Sequence, residues 1–283
     1  MKPKWLLESD LFEEDLPRLV AEIKRQGFEV KVMSSTIADV YASLPNFLDF
    51  YKPEDCVIYY GPLELGYRIR REAKWVPGIF CSTENYECTN YYPKFGDYLL
   101  NSNYMMIPFG DLLRQKEFLY EKLGQKDSIF IRPNKGTKVF TGQLVYKEKF
   151  EDDLKFFQMY NLDDKELCIV AEPRNIKFEW RFVVVDNKVV TGSLYKPLQI
   201  GPKDSDCLES YREALVYAQN VLSDIDYNPD KAWTLDICKT FAGNHYVLEV
   251  GGFSCAGLYK CKVEPIVREV SRVALEEWKE YYE

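Results

Sequence analysis

The sequence predicts an α/β fold that turns α+β toward its C-terminus and divides into two lobes. Strand-like and helical spacings alternate over the first third, which argues for a parallel sheet with helices on it. The last third instead sets two antiparallel hairpins, over residues 179–195 and 233–250, ahead of an amphipathic helix. A length of 283 residues is enough for a large core shared between two lobes.

Residues 4–7 read as a short strand. Over 10–26, Leu11, Leu16, Leu19, Val20 and Ile23 fall at helical spacing, and Gly27 stands where a helix commonly ends. Strands follow at 28–33 and 56–60, then the Gly61-Pro62 turn and a helix carrying Leu63, Tyr67 and Ile69. Residues 75–81 read as one more strand, and the aromatic run 88–100 as packing at a lobe interface. The stretch 99–111 reads as the crossing between lobes. It divides the chain into an N-terminal α/β domain, residues 1–108, and a second domain, residues 109–283. Beyond it come a helix over 111–123 closed by Gly124, a strand ending at Arg132-Pro133, a polar loop over 134–137, and a second strand from Lys138. A helix over 151–160 and a strand over 167–172, broken by Pro173, precede the first hairpin, which reverses at Asp186-Asn187. The polar loop 196–207 is expected to act as a lid, and 208–222 as a helix. From Glu264 the last helix puts Ile266, Val267, Val270, Val273, Ala274 and Trp278 on one face, with Pro265 in its first turn.

Lys plus Arg number 37 and Asp plus Glu 45, a net charge of −8, so nucleic acid held by bulk electrostatics is not expected. No apolar run is long enough for a transmembrane helix, and the opening MKPKWLLESD lacks a signal-peptide core. The expectation is a cytoplasmic protein with neither a nucleic-acid nor a membrane partner. Its eight cysteines are then expected to be reduced, mostly small buried hydrophobes. A single histidine, His245, and no close CxxC pair argue against a Cys/His zinc site, and nothing beside His245 supports a Cys–His nucleophile pair. No GxGxxG follows a strand, which excludes the dinucleotide fingerprint.

The second hairpin carries the chemistry. With its turn at Phe241-Ala242-Gly243-Asn244, Thr240 faces His245 and, stepping outward, Asp236 faces Glu249. Trp233, Leu235, Ile237, Leu248 and Val250 make the opposite, apolar face. Opposed residues have Cβ atoms about 4.5–5.5 Å apart, and like charges there destabilise a sheet. A divalent cation is the simplest remedy. Solvation of the carboxylates, or pairing with Lys239 or Lys260, is the other. On the metal reading, Asp236→Asn leaves the metal-free fold as stable as wild type or slightly more so; a buried salt bridge at Asp236 would make the same change costly. Arg132 and Lys138 bracket the loop containing Gly136, an arrangement that suits an anion such as phosphate or a surface hairpin with two solvated cations. Glu179 and Arg181 share one strand face, where they either pair with each other or line a cleft.

From residue 111 to the C-terminus these segments, in this order, resemble the ATP-grasp superfamily, and within it a clade of small bacterial and phage proteins. The earlier α/β lobe matches the domain that precedes the fold in such proteins. The resemblance implies an ATP-grasp fold and ATP with Mg²⁺ as cofactors. Arg132, in IFIRP, stands where many relatives have Lys and would offer a cation to the phosphates; Lys138, in NKGTKVFTG, would reach them from a covering loop. IVAEP, residues 169–173, resembles the hinge whose main chain binds adenine, with Val170 and Glu172 beside the nucleotide. In EWR, Glu179 would bind ribose and Arg181 would face the transferred phosphoryl group, while Asp236 in LDI and Glu249 in LEV would hold Mg²⁺. Such proteins usually have Asn two residues after the second acid; here that residue is Gly251, which leaves the place to water or to Ser254. The activity implied is an ATP-dependent ligase joining a small carboxylate to an amine or peptide substrate through an acyl phosphate. A phosphotransferase using the same nucleotide site and a non-catalytic nucleotide-binding module are the alternatives. Nothing in the residues specifies an oligomeric state.

Overall fold

The computed structural model describes residues 1–34, 47–136, 140–159, 162–196 and 204–283. By compactness the chain groups into two units that do not follow chain order. One combines Met1–Ser82 with Phe178–Ile237 and Glu249–Glu283; the other combines Thr83–Lys177 with Cys238–Leu248.

The first unit opens with β1 (Lys4–Glu8), α1 (Leu16–Arg25), β2 (Glu29–Met33), β3 (Cys56–Tyr60), α2 (Leu63–Glu72) and β4 (Val76–Gly78). Every residue of β3 is buried, as suits a parallel strand covered on both faces. The strands form a parallel sheet in the order β2-β1-β3-β4. The chain leaves β1 toward one side and re-enters at β3 on the other, so β1 and β3 flank a topological switch point. The last helix, α7 (Val263–Tyr282), packs on α1, β3 and β4. Its Ile266, Val270 and Val273 join Trp5, Ile58 and Ile23 in one core, and Trp5 Nε1 donates to Ser271 Oγ at 3.1 Å. Each large side chain fully buried there stabilises by about 1.5–3 kcal/mol. The two ends of the chain are thus held by a shared core.

A second sheet runs β10-β9-β11-β12, from β9 (Ile176–Val185), β10 (Lys188–Lys196), β11 (Ala232–Thr240) and β12 (His245–Gly252). Asp186 and Asn187, with φ of 53° and 58°, make the two-residue left-handed turn that suits a twisted hairpin. Pairing shifts between Val189 and Thr191, where a bulge at Val190 brings Ser193 opposite Arg181. Gly252 has no room for a side chain: a Cβ there would stand 2.5 Å from Cys81 Sγ and 2.8 Å from its Cα.

In the second unit, β5 (Tyr104–Pro108), β6 (Ser128–Pro133), β7 (Gln143–Tyr146) and β8 (Leu167–Ala171) form an antiparallel sheet in the order β5-β8-β6-β7. Helices α4 (Lys116–Leu123) and α5 (Phe150–Gln158) cover it through Leu119, Leu123, Phe150 and Phe157. Helix α3 (Cys88–Phe95) precedes β5. The tip of the β11–β12 hairpin joins this unit through Leu100 N, which donates to the Val247 carbonyl at 2.9 Å.

Several elements differ from expectation. Helix α1 starts at Leu16 rather than residue 10, because the buried Glu8 carboxylate takes the Asp10 and Leu11 amides at 3.0 and 3.2 Å and holds that stretch as a loop. Strand β4 has three residues where seven were expected; Gly78, at φ 70°, turns the chain out of the sheet. The stretch 99–111, read as a crossing, carries β5, a strand paired along its whole length with β8. Helix α6 (Asp204–Asp224) begins inside the stretch expected to be a lid; residues 197–203 of that stretch lie outside the described residues, as do Thr137 and Lys138. Among the described residues no helix is long and apolar enough to cross a membrane.

Candidate active site

Four of the expected residues, Glu179, Arg181, Asp236 and Glu249, lie in the first unit on β9, β11 and β12, and all four act on one tyrosine, Tyr195. Arg181 Nε and Nη2 donate to Asp236 Oδ1 and Oδ2 at 2.9 and 2.7 Å, a bidentate pair with the carboxylate 1% exposed. Tyr195 OH donates to Asp236 Oδ2 at 3.3 Å. Burial, then the nearby charges of Asp236, Glu179 and Glu249, push the Tyr195 phenol far above its ordinary range, so it remains a neutral donor. Burial works against the Arg181 cation, but the Asp236 carboxylate outweighs it and the net shift is upward.

Asp236 is therefore compensated by Arg181. This corrects the expectation of an unrelieved repulsion between Asp236 and Glu249, and the turn behind that register differs as well: Thr240 N donates to the Asn244 carbonyl at 2.9 Å, so the reversal takes three residues and Thr240 faces Asn244 rather than His245. The Arg181–Glu179 pairing left open by the shared strand face gives way to Arg181–Asp236. Thr234 Oγ1 donates to the Gly251 carbonyl at 3.1 Å, tying β11 to β12 two residues from the acids. A Cβ at Gly251 would stand 3.0 Å from that hydroxyl, so Thr234 occupies the space a larger residue at 251 would need. Ser254 is turned away: its Oγ accepts the Phe80 amide at 2.9 Å and it is fully buried.

The residues fit Mg²⁺ in charge and donor type. Asp236, paired with Arg181, and the carboxylates of Glu179 and Glu249 all act on Tyr195, and their oxygens are hard donors. Among the described residues no three metal-binding side chains gather closely enough to enclose an ion, so phosphate oxygens and water would have to complete its shell.

Sequence reasoning missed the aromatic and backbone frame around Arg181. The Tyr195 and Tyr259 rings stack with centroids 4.8 Å apart and planes at 10°, and Arg181 Cζ lies 5.5 and 5.2 Å from the two centroids. Arg181 Nη1 also donates to the Gly257 carbonyl at 3.0 Å. The motif GGFSCAGLY offered a signal, since its glycines and Tyr259 directly follow Glu249.

The second unit holds the other expected residues. Arg132, on β6 opposite Ile169, is half-buried with Nη1 3.4 Å from Tyr91 OH. Asn134 fastens the loop that follows. Its Oδ1 accepts the Thr89 amide at 2.8 Å and its carbonyl accepts the Cys88 amide at 2.9 Å, which caps α3 from outside that helix. Val170 is fully buried in the core, paired with Met105 on one side and Ile131 on the other, and β8 ends one residue later at Ala171. The Glu172 carboxylate accepts from Asn103 Nδ2 at 2.5 Å and Gln125 Nε2 at 3.1 Å.

The thiols suit packing rather than nucleophilic chemistry. The seven described cysteines are free, and burial pushes the Cys56 and Cys168 thiols up to about 12 and Cys261 up to about 11.

Comparison with known proteins accords with this architecture. A D-cycloserine synthetase, DcsG, superposes with a TM-score of 0.58 at 10% identity, over 96% of this chain and 99% of its own. A RimK domain ATP-grasp protein from Sphaerobacter thermophilus DSM 20745 gives 0.56 at 11% identity, over 96% and 99%. The D-alanine–D-alanine ligase from Bacillus anthracis, complexed with ATP, gives 0.53 at 13% identity, over 98% and 99%. These likenesses show a shared fold. No curated protein matches the sequence. The family model described as ATP-grasp domain, R2K clade family 2, matches residues 115–268, and the chain belongs to that family.

Proposed function

We propose that this chain is an ATP-dependent carboxylate–amine ligase. A carboxylate oxygen attacks the terminal phosphorus of ATP, the bond to the bridging oxygen breaks, and ADP leaves. An amine nitrogen then attacks the acyl phosphate, a C–N bond forms, phosphate departs, and the nitrogen loses its proton. The observation that supports this reading is the gathering of Asp236, Glu179 and Glu249 around Tyr195 and Arg181 in a chain of the ATP-grasp family. Phosphoryl transfer depends on alignment and charge stabilisation more than on a covalent nucleophile, in keeping with thiols that stay protonated. In this reading Arg132 and Lys138 hold phosphate oxygens, Glu179 holds the ribose, and the main chain at the end of β8, beside Val170 and Glu172, takes the adenine. Asp236 and Glu249 hold Mg²⁺, which when bound supplies counter-charge to the phosphates. Arg181 offsets the charge that spreads over the transferred group. The loop that opens at Asn134 and the stretch between β10 and α6 would keep water from the acyl phosphate. Residues 1–108 form the preceding α/β domain and 109–283 the ATP-grasp domain.

The test is calorimetry with a non-hydrolysable ATP analogue, with and without Mg²⁺, followed by product analysis over a panel of acids and amines. Mg²⁺-dependent binding with ADP, phosphate and a new amide is expected. No binding at millimolar nucleotide would refute it. The crowding of position 251 by Thr234 favours a second reading, a nucleotide-binding module without turnover. Binding with no product across the panel would select that one.

A further inference from the structure

Asp15 stands at the start of α1, where an aspartate usually accepts an amide of its own helix, yet its side chain makes no such bond. It is 4% exposed and reaches a segment 243 residues away: Oδ2 accepts the Leu258 amide at 2.8 Å. Tyr60 OH lies 3.1 Å from the same oxygen and 2.9 Å from the Ala256 carbonyl. Arg18, paired with Asp15 Oδ1 at 2.5 Å, donates to the Cys261 carbonyl at 3.0 Å and to the Tyr259 carbonyl. From β10, Ser193 Oγ and Thr191 Oγ1 accept the Lys260 and Lys262 amides at 3.3 and 3.1 Å.

The segment 256–262 is thus gripped peptide by peptide, and what it presents is the surround of Arg181. Its Gly257 carbonyl takes Arg181 Nη1, and Tyr259, held at φ 52°, lays its ring on Tyr195 beside the guanidinium. A non-glycine residue in that region persists only where its surroundings over-determine it. We infer that Asp15 and Arg18 are positioning residues for the reaction: through segment 256–262 they set where Arg181 and the Tyr195–Tyr259 stack stand. The inference rests on the ligase reading and goes beyond it, because neither residue touches Arg181.

Arg18 is the residue to vary first, since its side chain is 37% exposed and its removal leaves the Leu258 bond to Asp15 in place. Arg18→Ala, Arg18→Lys and Asp15→Asn are compared with wild type in three measurements: hydrogen exchange of the peptide spanning 254–262, affinity for a non-hydrolysable ATP analogue with Mg²⁺, and release of phosphate from ATP with Mg²⁺. For Arg18→Ala the expected result is faster exchange confined to that peptide, analogue affinity within about threefold of wild type, and kcat lower by about tenfold or more with KM for ATP little changed. Arg18→Lys should recover most of both losses, and Asp15→Asn should resemble Arg18→Ala. Unchanged exchange overturns the anchoring, and faster exchange with unchanged kcat overturns its bearing on the reaction. Wild-type protein that neither binds the analogue nor turns over ATP overturns the ligase reading, and this inference with it.

Discussion

Arg181 closes on Asp236 through both carboxylate oxygens, at 2.9 and 2.7 Å, with the guanidinium side chain 10% and the carboxylate 1% exposed. Desolvating two such ions is offset only where geometry is good and the remaining donors and acceptors are met. Tyr195 OH on Asp236 and the Gly257 carbonyl on Arg181 meet them here. The pair changes what a metal must do. Mg²⁺ at Asp236 would share a carboxylate that Arg181 already holds, while Glu249 stands half-buried on the neighbouring strand.

Position 251 should resist the residue common in related proteins. An asparagine Cβ there would stand 3.0 Å from Thr234 Oγ1, and Thr234 is 1% exposed with little room to yield. Gly251→Asn alone should cost about 1–3 kcal/mol, the usual range for overpacking a tight site. Adding Thr234→Ala should recover part of that cost, a coupling visible in urea melts of the two single variants and the double variant. Strictly additive costs would show that Thr234 is not what fills the site.

Asn134→Ala should separate loop placement from chemistry. The change removes the side-chain cap on the Thr89 amide and loosens the start of the loop that leads to Lys138. Losing such a cap costs about 0.5–2 kcal/mol of stability. If that loop covers the phosphates as proposed, the KM for ATP should rise with kcat less affected, because it would act on bound phosphates before transfer. An unchanged KM with reduced kcat would remove this loop from nucleotide binding.

The buried thiols give stability a definite pH dependence. Burial pushes the Cys168 thiol up to about 12 from its ordinary 9.0. The folded state keeps this proton while the unfolded state loses it, so the contribution is fully present below about pH 9 and is lost as pH rises toward 12. Cys168→Ala costs a small cavity at pH 8 but does not carry that loss. The stability gap between wild type and Cys168→Ala should therefore narrow from pH 8 to pH 10.5 in urea melts. A gap that stays constant would mean that the thiol ionises equally in both states.

Much of this was legible because periodicity and turn residues report locally. Residues 56–60 read as a strand from their unbroken apolar run, and Asp186-Asn187 marked its hairpin correctly. The frame around Arg181 was hidden by two register shifts in β10. Counting outward from that turn pairs Arg181 with Gly192 and puts Tyr195 on the opposite face. A bulge at Val190 shifts the register so that Ser193 pairs with Arg181, and a second shift falls at Tyr195 itself, between Leu194 and Lys196; with both in place the Tyr195 hydroxyl reaches Asp236 beside Arg181. No local pattern marks either shift. Asp15 was equally silent: it read as part of a longer helix, and its partner Leu258 lies far along the chain. Strand β5 was missed because YMMIP alternates weakly and its identity comes from pairing with β8.

The Arg181–Asp236 pair admits a test that separates structure from chemistry. Removing one partner leaves the other as an uncompensated buried charge, so Asp236→Asn and Arg181→Met should each cost about 3–5 kcal/mol. For Asp236→Asn this reverses the expectation drawn from a repelling Asp236–Glu249 pair, under which the variant would be no less stable than wild type. The double variant Arg181→Met/Asp236→Leu removes both charges and keeps side-chain volume in place. Its stability should return to within about 1–2 kcal/mol of wild type, because an apolar pair incurs no desolvation cost. Catalysis should not return with it. If the proposed roles hold, the metal would lose one carboxylate and the transferred phosphoryl group its guanidinium, so ATP turnover should be lost in all three variants. Denaturant melts of the four proteins give the coupling energy, and phosphate release from ATP with Mg²⁺ gives the turnover. Single variants that each cost under about 1 kcal/mol would mean that the ions are not held as a buried pair. A double variant that regained turnover along with stability would confine the pair to a structural role and take Arg181 and Asp236 out of the proposed active site.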